Sequence, residues 1–318
     1  MNNKNVVYLF PGQGAQYSGM ALDLLSSNAV SSLFKTASEI FGKDAKELLN
    51  SDADTLKRTD VSQPAITLAN LAAAAYLGEQ GYAPAACAGF SLGEYAALVS
   101  SGIIGAEDCL RLVKARGEAM QKTSDRLREE GGDAAPGMVA IIGISPEQVE
   151  ELIAKWKEAG VKDLYAANIN SPKQVVVSGT AAALAEAETR FKEAGAKRVI
   201  RLQVAGPFHS PLMADAAEAF KPVLDTVAFR DPAVPMYSNV TGKLVSSGEE
   251  AKKLAVLQIT SPVRWVEEET AISAAAAKAG VQACLEAGPG KVLQGLWRDC
   301  GSEIPCHPAG TAEDVGKL

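Results

Sequence analysis

One pentapeptide constrains this chain more than any other: Gly89-Phe90-Ser91-Leu92-Gly93 follows an apolar stretch, Ala85 to Phe90, and precedes a helical pattern, Leu92 to Ser101. Gly-x-Ser-x-Gly between a strand and a helix is the nucleophile elbow, in which a serine sits on a strained turn at the end of a buried strand. The two glycines leave room for close backbone approach, and the following helix aims its N-terminal amides at the serine oxygen. A plain tight turn uses the same residue types. Either way, a strand-to-helix junction of this kind belongs to an α/β fold.

The rest of the chain obeys the same grammar. A buried strand, Asn5 to Phe10, runs into the glycine-rich loop Pro11 to Gln16, and an alanine-rich helix follows at Pro64 to Gln80. The loop has neither the Gly-Lys-Ser/Thr of a P-loop nor the spacing of a dinucleotide fingerprint. Between Arg126 and Pro136 the sequence turns charged, then rich in Gly and Ala, which marks a boundary. After it come a strand (138–142), a helix opened by Pro146 (to 159), strands (164–169 and 174–178), a helix (181–194) and a strand (198–204). That β-α-β-β-α-β order is the split βαβ, ferredoxin-like pattern. We therefore expect a large α/β unit, 1–130 and 205–318, with a small unit, 131–204, inserted into it. The large unit is expected to close with a strand at Val281 to Glu286, a Gly288-Pro289-Gly290 turn and a last helix.

A chain of 318 residues has room for about two domains. Its net charge of −7 argues against a nucleic-acid binder as a whole, because phosphate neutralisation needs concentrated Lys and Arg. No apolar run approaches the roughly 20 residues that span a bilayer, so a cytoplasmic protein without a membrane partner is expected. The five cysteines are scattered with no Cys-x-x-Cys pair, which suits reduced structural thiols. With only two histidines, His209 and His307, no metal site is expected.

That scarcity narrows the chemistry of Ser91. A serine hydroxyl needs a base, usually histidine. His307 lies near the C-terminus, where chains are often loose. His209 precedes Ser210, suited to an N-cap, and Pro211, suited to the first helical position, so it is the expected base. Arg116 shares a helix face with Leu112, Val113 and Met120, whereas Arg111, Lys114, Glu118 and Gln121 lie mostly outward. From spacing alone, Arg116 either snorkels, pairs with an internal carboxylate or awaits an anionic ligand, whose two oxygens a guanidinium fork would match. An oxyanion hole needs two backbone N–H groups, one from the residue after the nucleophile, Leu92, and one from a separate loop, which Gln13 could supply.

Taken together, Phe10 to Gln16 (FPGQGAQ), Gly89 to Tyr95 (GFSLGEY), Arg116, Asn168 to Pro172 (NINSP), Gly206 to Met213 (GPFHSPLM), Pro262 to Trp265 (PVRW) and Glu286 to Lys291 (EAGPGK) resemble, in order, the malonyl-CoA:acyl carrier protein transacylases of bacterial type II fatty acid synthesis. The resemblance spans essentially the whole chain. It implies an α/β-hydrolase-like large subdomain with an inserted ferredoxin-like one, and a ping-pong transfer through a Ser91 acyl-enzyme with His209 as base. It further implies Arg116 on the malonyl carboxylate, the backbone amides of Gln13 and Leu92 as oxyanion hole, the Gln258 carbonyl orienting the histidine, and Asn168 and Asn170 near the thioester arm. Phe208 matches the malonyl-selecting form of its motif. Phe90 departs from the family, which usually has histidine there; it borders the pocket and bears on acyl preference and hydration rather than on the Ser-His pair.

The implied partners are malonyl-CoA and an acidic acyl carrier protein, with no bound cofactor and a monomer as the family default. The cations Arg190, Lys192, Lys197, Arg198 and Arg201 could form the docking edge for an acidic carrier, or simply a solvated face. The competing functions are an acyl-thioester hydrolase using the same Ser-His pair, a trans-acting polyketide-type acyltransferase, and a non-catalytic docking module.

Overall fold

The computed structural model describes residues 4–318. In chain order its strands are β1 (Lys4–Phe10), β2 (Tyr82–Gly89), β3 (Gly137–Ile142), β4 (Leu164–Ser171), β5 (Gln174–Gly179), β6 (Arg198–Arg201), β7 (Tyr237–Ser238), β8 (Lys243–Leu244), β9 (Cys284–Glu286) and β10 (Cys306–Pro308). They form a parallel sheet in the order β10-β9-β1-β2, an antiparallel sheet in the order β4-β5-β3-β6, and a two-stranded β7-β8 hairpin.

β1 is the spine of the parallel sheet, and its pleat divides the large core in two. Val6, Tyr8 and Phe10 face one cluster, packed beneath helices Thr59–Glu79 and Ala106–Gly131. Val7 and Leu9 face another, with Trp265, Ile272 and Trp297. A strand buried on both faces reads as the continuous apolar run seen here rather than as an alternation. Phe10 pairs with Gly89, so the strands end side by side and their two loops, Pro11–Gln16 and the elbow, leave from one edge. In open α/β sheets this carboxyl edge is where ligands bind.

The small sheet buries one face under its own helices, Pro146–Glu158 and Ala181–Glu193, around Val139, Ile141, Val175, Val177, Trp156 and Phe191. Its other face presents Met138, Ala140 and Val176 to the large core. The strand order is that of the split βαβ pattern read from the sequence. The small sheet is also stitched by backbone to the segment just before helix Trp265–Lys278: Ile169 N–H donates to Val263 O, and Val263 N–H to Ala167 O, both at 2.8 Å.

Four expectations change. The charged stretch after Arg126 is the end of a helix that runs to Gly131. Gln121 turns inward and accepts the Thr59 N–H at 2.7 Å. The helix after the elbow begins as a 3-10 turn, Ser91–Gly93, before the α-helix Glu94–Ser100. The helix Val292–Asp299 is not the last element, because the chain returns to add β10 beside β9 and a short helix, Ala312–Val315. His307 is accordingly held in a strand rather than loose.

Candidate active site

Ser91 occupies the left-handed region, at φ 50°, as does His209, at φ 56°. Such backbone costs a non-glycine residue about 1–3 kcal/mol and persists only where the surroundings over-determine it. For Ser91 the crossing of strand, loop and helix does so. A Cβ on Gly89 would lie 2.0 Å from the Gly93 carbonyl carbon, and one on Gly93 would lie 2.0 Å from Phe10 O. For His209, hydroxyls grip the chain just before it. Ser178 Oγ, on β5, donates to Phe208 O at 2.5 Å, and Ser210 Oγ donates to Pro207 O at 2.6 Å. Ser210 thus precedes the 3-10 turn Pro211–Met213 as expected, but its hydroxyl points backward instead of capping that turn.

The two side chains meet at Ser91 Oγ and His209 Nε2, 2.8 Å apart. On the other side of the ring, Nδ1 lies 2.9 Å from the backbone carbonyl of Gln258. A carbonyl can only accept, so Nδ1 carries the proton and Nε2 offers its lone pair to the serine hydroxyl. Burial, then the charge of Arg116, lower the histidine's pKa to about 4. The imidazole is therefore neutral, as a base must be.

Arg116 is 1% exposed. Its Nη2 donates to Gln258 Oε1 at 2.9 Å and its Cζ stands 5.4 Å above the Tyr95 ring. The Nε atom has no partner among the described residues. Burial disfavours its charge, yet a guanidinium stays protonated in proteins, so a buried cation lines the cavity. The Gln258 amide nitrogen donates to Ser91 O at 2.9 Å and to the carboxyl of Glu94. Burial pushes Glu94 up to about 7, against the pull of its hydrogen bonds and of Arg116.

These groups open onto a cavity of about 290 Å³ lined by Gln13, Phe90, Ser91, Arg116, Asn168, Asn170, Phe208 and His209, among others. Gly12 brings the first loop against the elbow: a Cβ there would lie 2.3 Å from Phe90 O and 3.6 Å from Leu92 N. Asn70 Nδ2 anchors the loop by donating to Pro11 O at 2.9 Å. Leu92, second in its 3-10 turn, has an N–H that the helix itself cannot satisfy. Phe90 stacks edge-on against Trp265, ring centroids 5.4 Å apart. Of the other site residues named from the sequence, Leu92 follows Ser91 in the chain and Gln258 adjoins the cavity through its bonds to His209 and Ser91. His307 lies elsewhere, by the opposite ends of the strands, with Lys4 and Tyr82. Sequence reasoning missed Asn70, Glu94, Ser178 and Asn239, which brace the site from buried positions.

Of the cationic run, Arg190 is paired to Glu186 and lies over Trp156, and Arg201 is paired to Glu188. Lys192, Lys197 and Arg198 are exposed. Among the described residues, no group of three or more His, Cys, Asp or Glu side chains could hold a metal ion, and no helix is long and apolar enough to cross a membrane.

The acyl transferase domain family matches residues 7–316. The chain belongs to that family. This acyl transferase is 39% identical over 293 residues to the malonyl CoA-acyl carrier protein transacylase of Bacillus subtilis, covering 92% of this chain and 89% of that protein. It superposes with a TM-score of 0.88 on an acyl carrier protein S-malonyltransferase from Vibrio cholerae, at 33% identity and 99% coverage of both chains. A malonyl-transacylase solved in complex with a type II PKS acyl-carrier protein matches with a TM-score of 0.87, at 34% identity and 98% coverage of both. The α/β-hydrolase-like large part and ferredoxin-like small part expected from the sequence are the architecture this acyl transferase shares with those structures.

Proposed function

We propose that this acyltransferase moves a malonyl group from malonyl-CoA to the phosphopantetheine thiol of an acyl carrier protein, for fatty acid synthesis. One observation carries the reading: a serine and a neutral histidine 2.8 Å apart share a cavity with a buried arginine that has an unused donor. A charged acyl group satisfies that arginine, and an acetyl group leaves it unpaired.

The chemistry then runs in two halves. Ser91 Oγ attacks the thioester carbonyl while His209 Nε2 takes its proton. The tetrahedral oxyanion forms against the N–H groups of Leu92 and Gln13. Collapse expels the CoA sulfur, which receives the proton from His209 and leaves a malonyl ester on Ser91. The carrier's thiol next gives its proton to His209 and attacks that ester, returning the proton to Ser91 as the malonyl thioester departs. Asn168, Asn170 and Phe208 line the path of the acyl group and its arm, and Phe90 closes one wall. The names of the relatives favour a thiol acceptor over water. Residues 131–204 act as the small unit, Lys192, Lys197 and Arg198 suit an acidic carrier, and a cytoplasmic monomer needing no bound cofactor completes the reading.

Intact mass after brief mixing with malonyl-CoA or acetyl-CoA tests it. A malonyl adduct on the wild type, none on Ser91→Ala, and discharge by added carrier protein are expected. An adduct that persists on Ser91→Ala, or release to water at the same rate without carrier, overturns it.

A further inference from the structure

Asn239 is fully buried in the β7–β8 turn, far in sequence from Ser91. Its Oδ1 accepts the Ser91 N–H at 2.6 Å, and its Nδ2 donates to Gly89 O at 2.8 Å. One carboxamide thus bridges the residues before and after Phe90, standing in for a neighbouring strand where the elbow has left the sheet. The same Nδ2 donates to Glu268 Oε2 at 2.6 Å, and the Asn239 carbonyl accepts the Arg264 N–H at 2.9 Å. Nδ2 makes two hydrogen bonds and Oδ1 accepts one, so the orientation of the amide is fixed.

Glu268 makes this a built arrangement. It is fully buried, no described cation is paired with it, and its Oε1 has no partner. Burial first, then the nearby Glu94, raise its pKa well above the ordinary carboxylate range. The neutral form of the carboxyl is thereby favoured, at a place where a carboxylate would stand unpaired beside other acids, and its Oε2 is the acceptor presented to Asn239. The Ser91 N–H, being spent on Asn239, is also unavailable to an oxyanion, which leaves that work to Leu92 and the Gln13 loop.

We infer that Asn239, braced by Glu268, is a positioning residue that holds Ser91 in its left-handed conformation and so aims Oγ at His209 and at the thioester. The inference rests on Ser91 being the nucleophile. A residue with this task affects the rate of acylation and leaves the affinity for malonyl-CoA alone, because it touches neither the carboxylate site nor the arm.

Rapid-quench acylation with malonyl-CoA, read by intact mass, separates these quantities. Asn239→Ala should lower the saturating rate roughly 100-fold, the scale of an ångström-level misplacement, with the half-saturating concentration within about threefold of wild type. Glu268→Gln keeps a neutral acceptor and should stay within about threefold in both; Glu268→Leu should repeat the rate-only loss. An undiminished rate in Asn239→Ala overturns the inference, as does a half-saturation that rises in step with the fall. If Asn239→Ala does not fold, the Glu268 pair decides: equal rates in Gln and Leu variants sink the proposal. Ser91→Ala, run alongside, must take no label; label elsewhere on it defeats the nucleophile assignment, whatever Asn239 does.

Discussion

Gln258 holds His209 with its backbone and Arg116 with its side chain: the carbonyl takes Nδ1 at 2.9 Å and Oε1 takes Nη2 at 2.9 Å. The base and the cation are thereby indexed to one residue at the end of helix Gly248–Leu257. A carbonyl also stabilises an imidazolium less than the carboxylate of a serine-protease triad does. That agrees with a histidine poised as a neutral base.

Gln258→Ala separates the two roles. The backbone carbonyl stays, so the tautomer and the basicity of His209 should persist. The support of Arg116, Ser91 O and Glu94 goes. Half-saturation for malonyl-CoA should rise roughly tenfold, the scale of one hydrogen bond to a charged group, while acetyl-CoA loading changes little. Steady-state kinetics with both thioesters checks this.

Arg116→Ala should depress malonyl transfer by about 10–100-fold, as expected for loss of charge-assisted hydrogen bonds. Acetyl transfer should fall far less. An equal loss for both acyl groups would assign the arginine to packing alone.

The pH dependence should be unusual. With His209 lowered to about 4 by burial and Arg116, kcat/KM should hold its plateau down to about pH 5 and decline through 4, rather than through the ordinary 6.5. Stability carries the same signature. The unfolded chain protonates this histidine near 6.5 and the folded chain near 4, so its contribution falls as pH drops through that window. Between pH 7 and pH 5 the stability difference between His209→Gln and wild type should therefore shift by roughly 2 kcal/mol in the variant's favour. Urea titrations of both proteins at pH 7 and pH 5 would reveal the difference; no change between the two pH values would contradict the assignment.

Ser178→Ala removes the hydroxyl that grips Phe208 O. Acylation and deacylation should slow together, by roughly tenfold for one lost hydrogen bond, because both halves use the same histidine. A loss confined to one half-reaction would point to substrate contact instead.

Phe90→Ala deletes the edge-on pair with Trp265. Such a pair contributes about 0.5–1.5 kcal/mol beyond its buried area. The melting temperature should fall by several degrees, while Ser91 remains acylated by malonyl-CoA. Loss of acylation in a folded variant would give Phe90 a part in the chemistry.

Much of this was legible in sequence because chemistry and pattern coincided there. The elbow announces itself by two glycines at positions where a Cβ would lie only 2.0 Å from neighbouring backbone. His209 stood out because only two histidines exist, and the small sheet because its β-α-β-β-α-β order follows a charged, Gly- and Ala-rich boundary. Arg116 remained ambiguous, since an inward cation at helical spacing has several causes. What bound it, a carboxamide 142 residues away, leaves no trace in local spacing. Asn239, Glu94 and Glu268 carry no local signal of their roles, because burial by distant elements gives them those roles. The short β10 escaped because three residues, Cys306 to Pro308, carry too little pattern.

Ser91 rides at the end of the parallel sheet, whereas the chain just before His209 is gripped by a hydroxyl of the antiparallel one. The approach of the serine hydroxyl to the imidazole therefore depends on both sheets. Grafting a foreign four-stranded module between Gly131 and Ala205 would preserve the serine, the glutamine and the arginine. Unless the graft also reproduced the Ser178 hydroxyl, the chain before His209 would lose one of its two hydroxyl grips and keep only Ser210 beside the Gln258 carbonyl. The insertion is thus the adjusting screw of the active site, and exchanging it would detune the enzyme without touching the nucleophile.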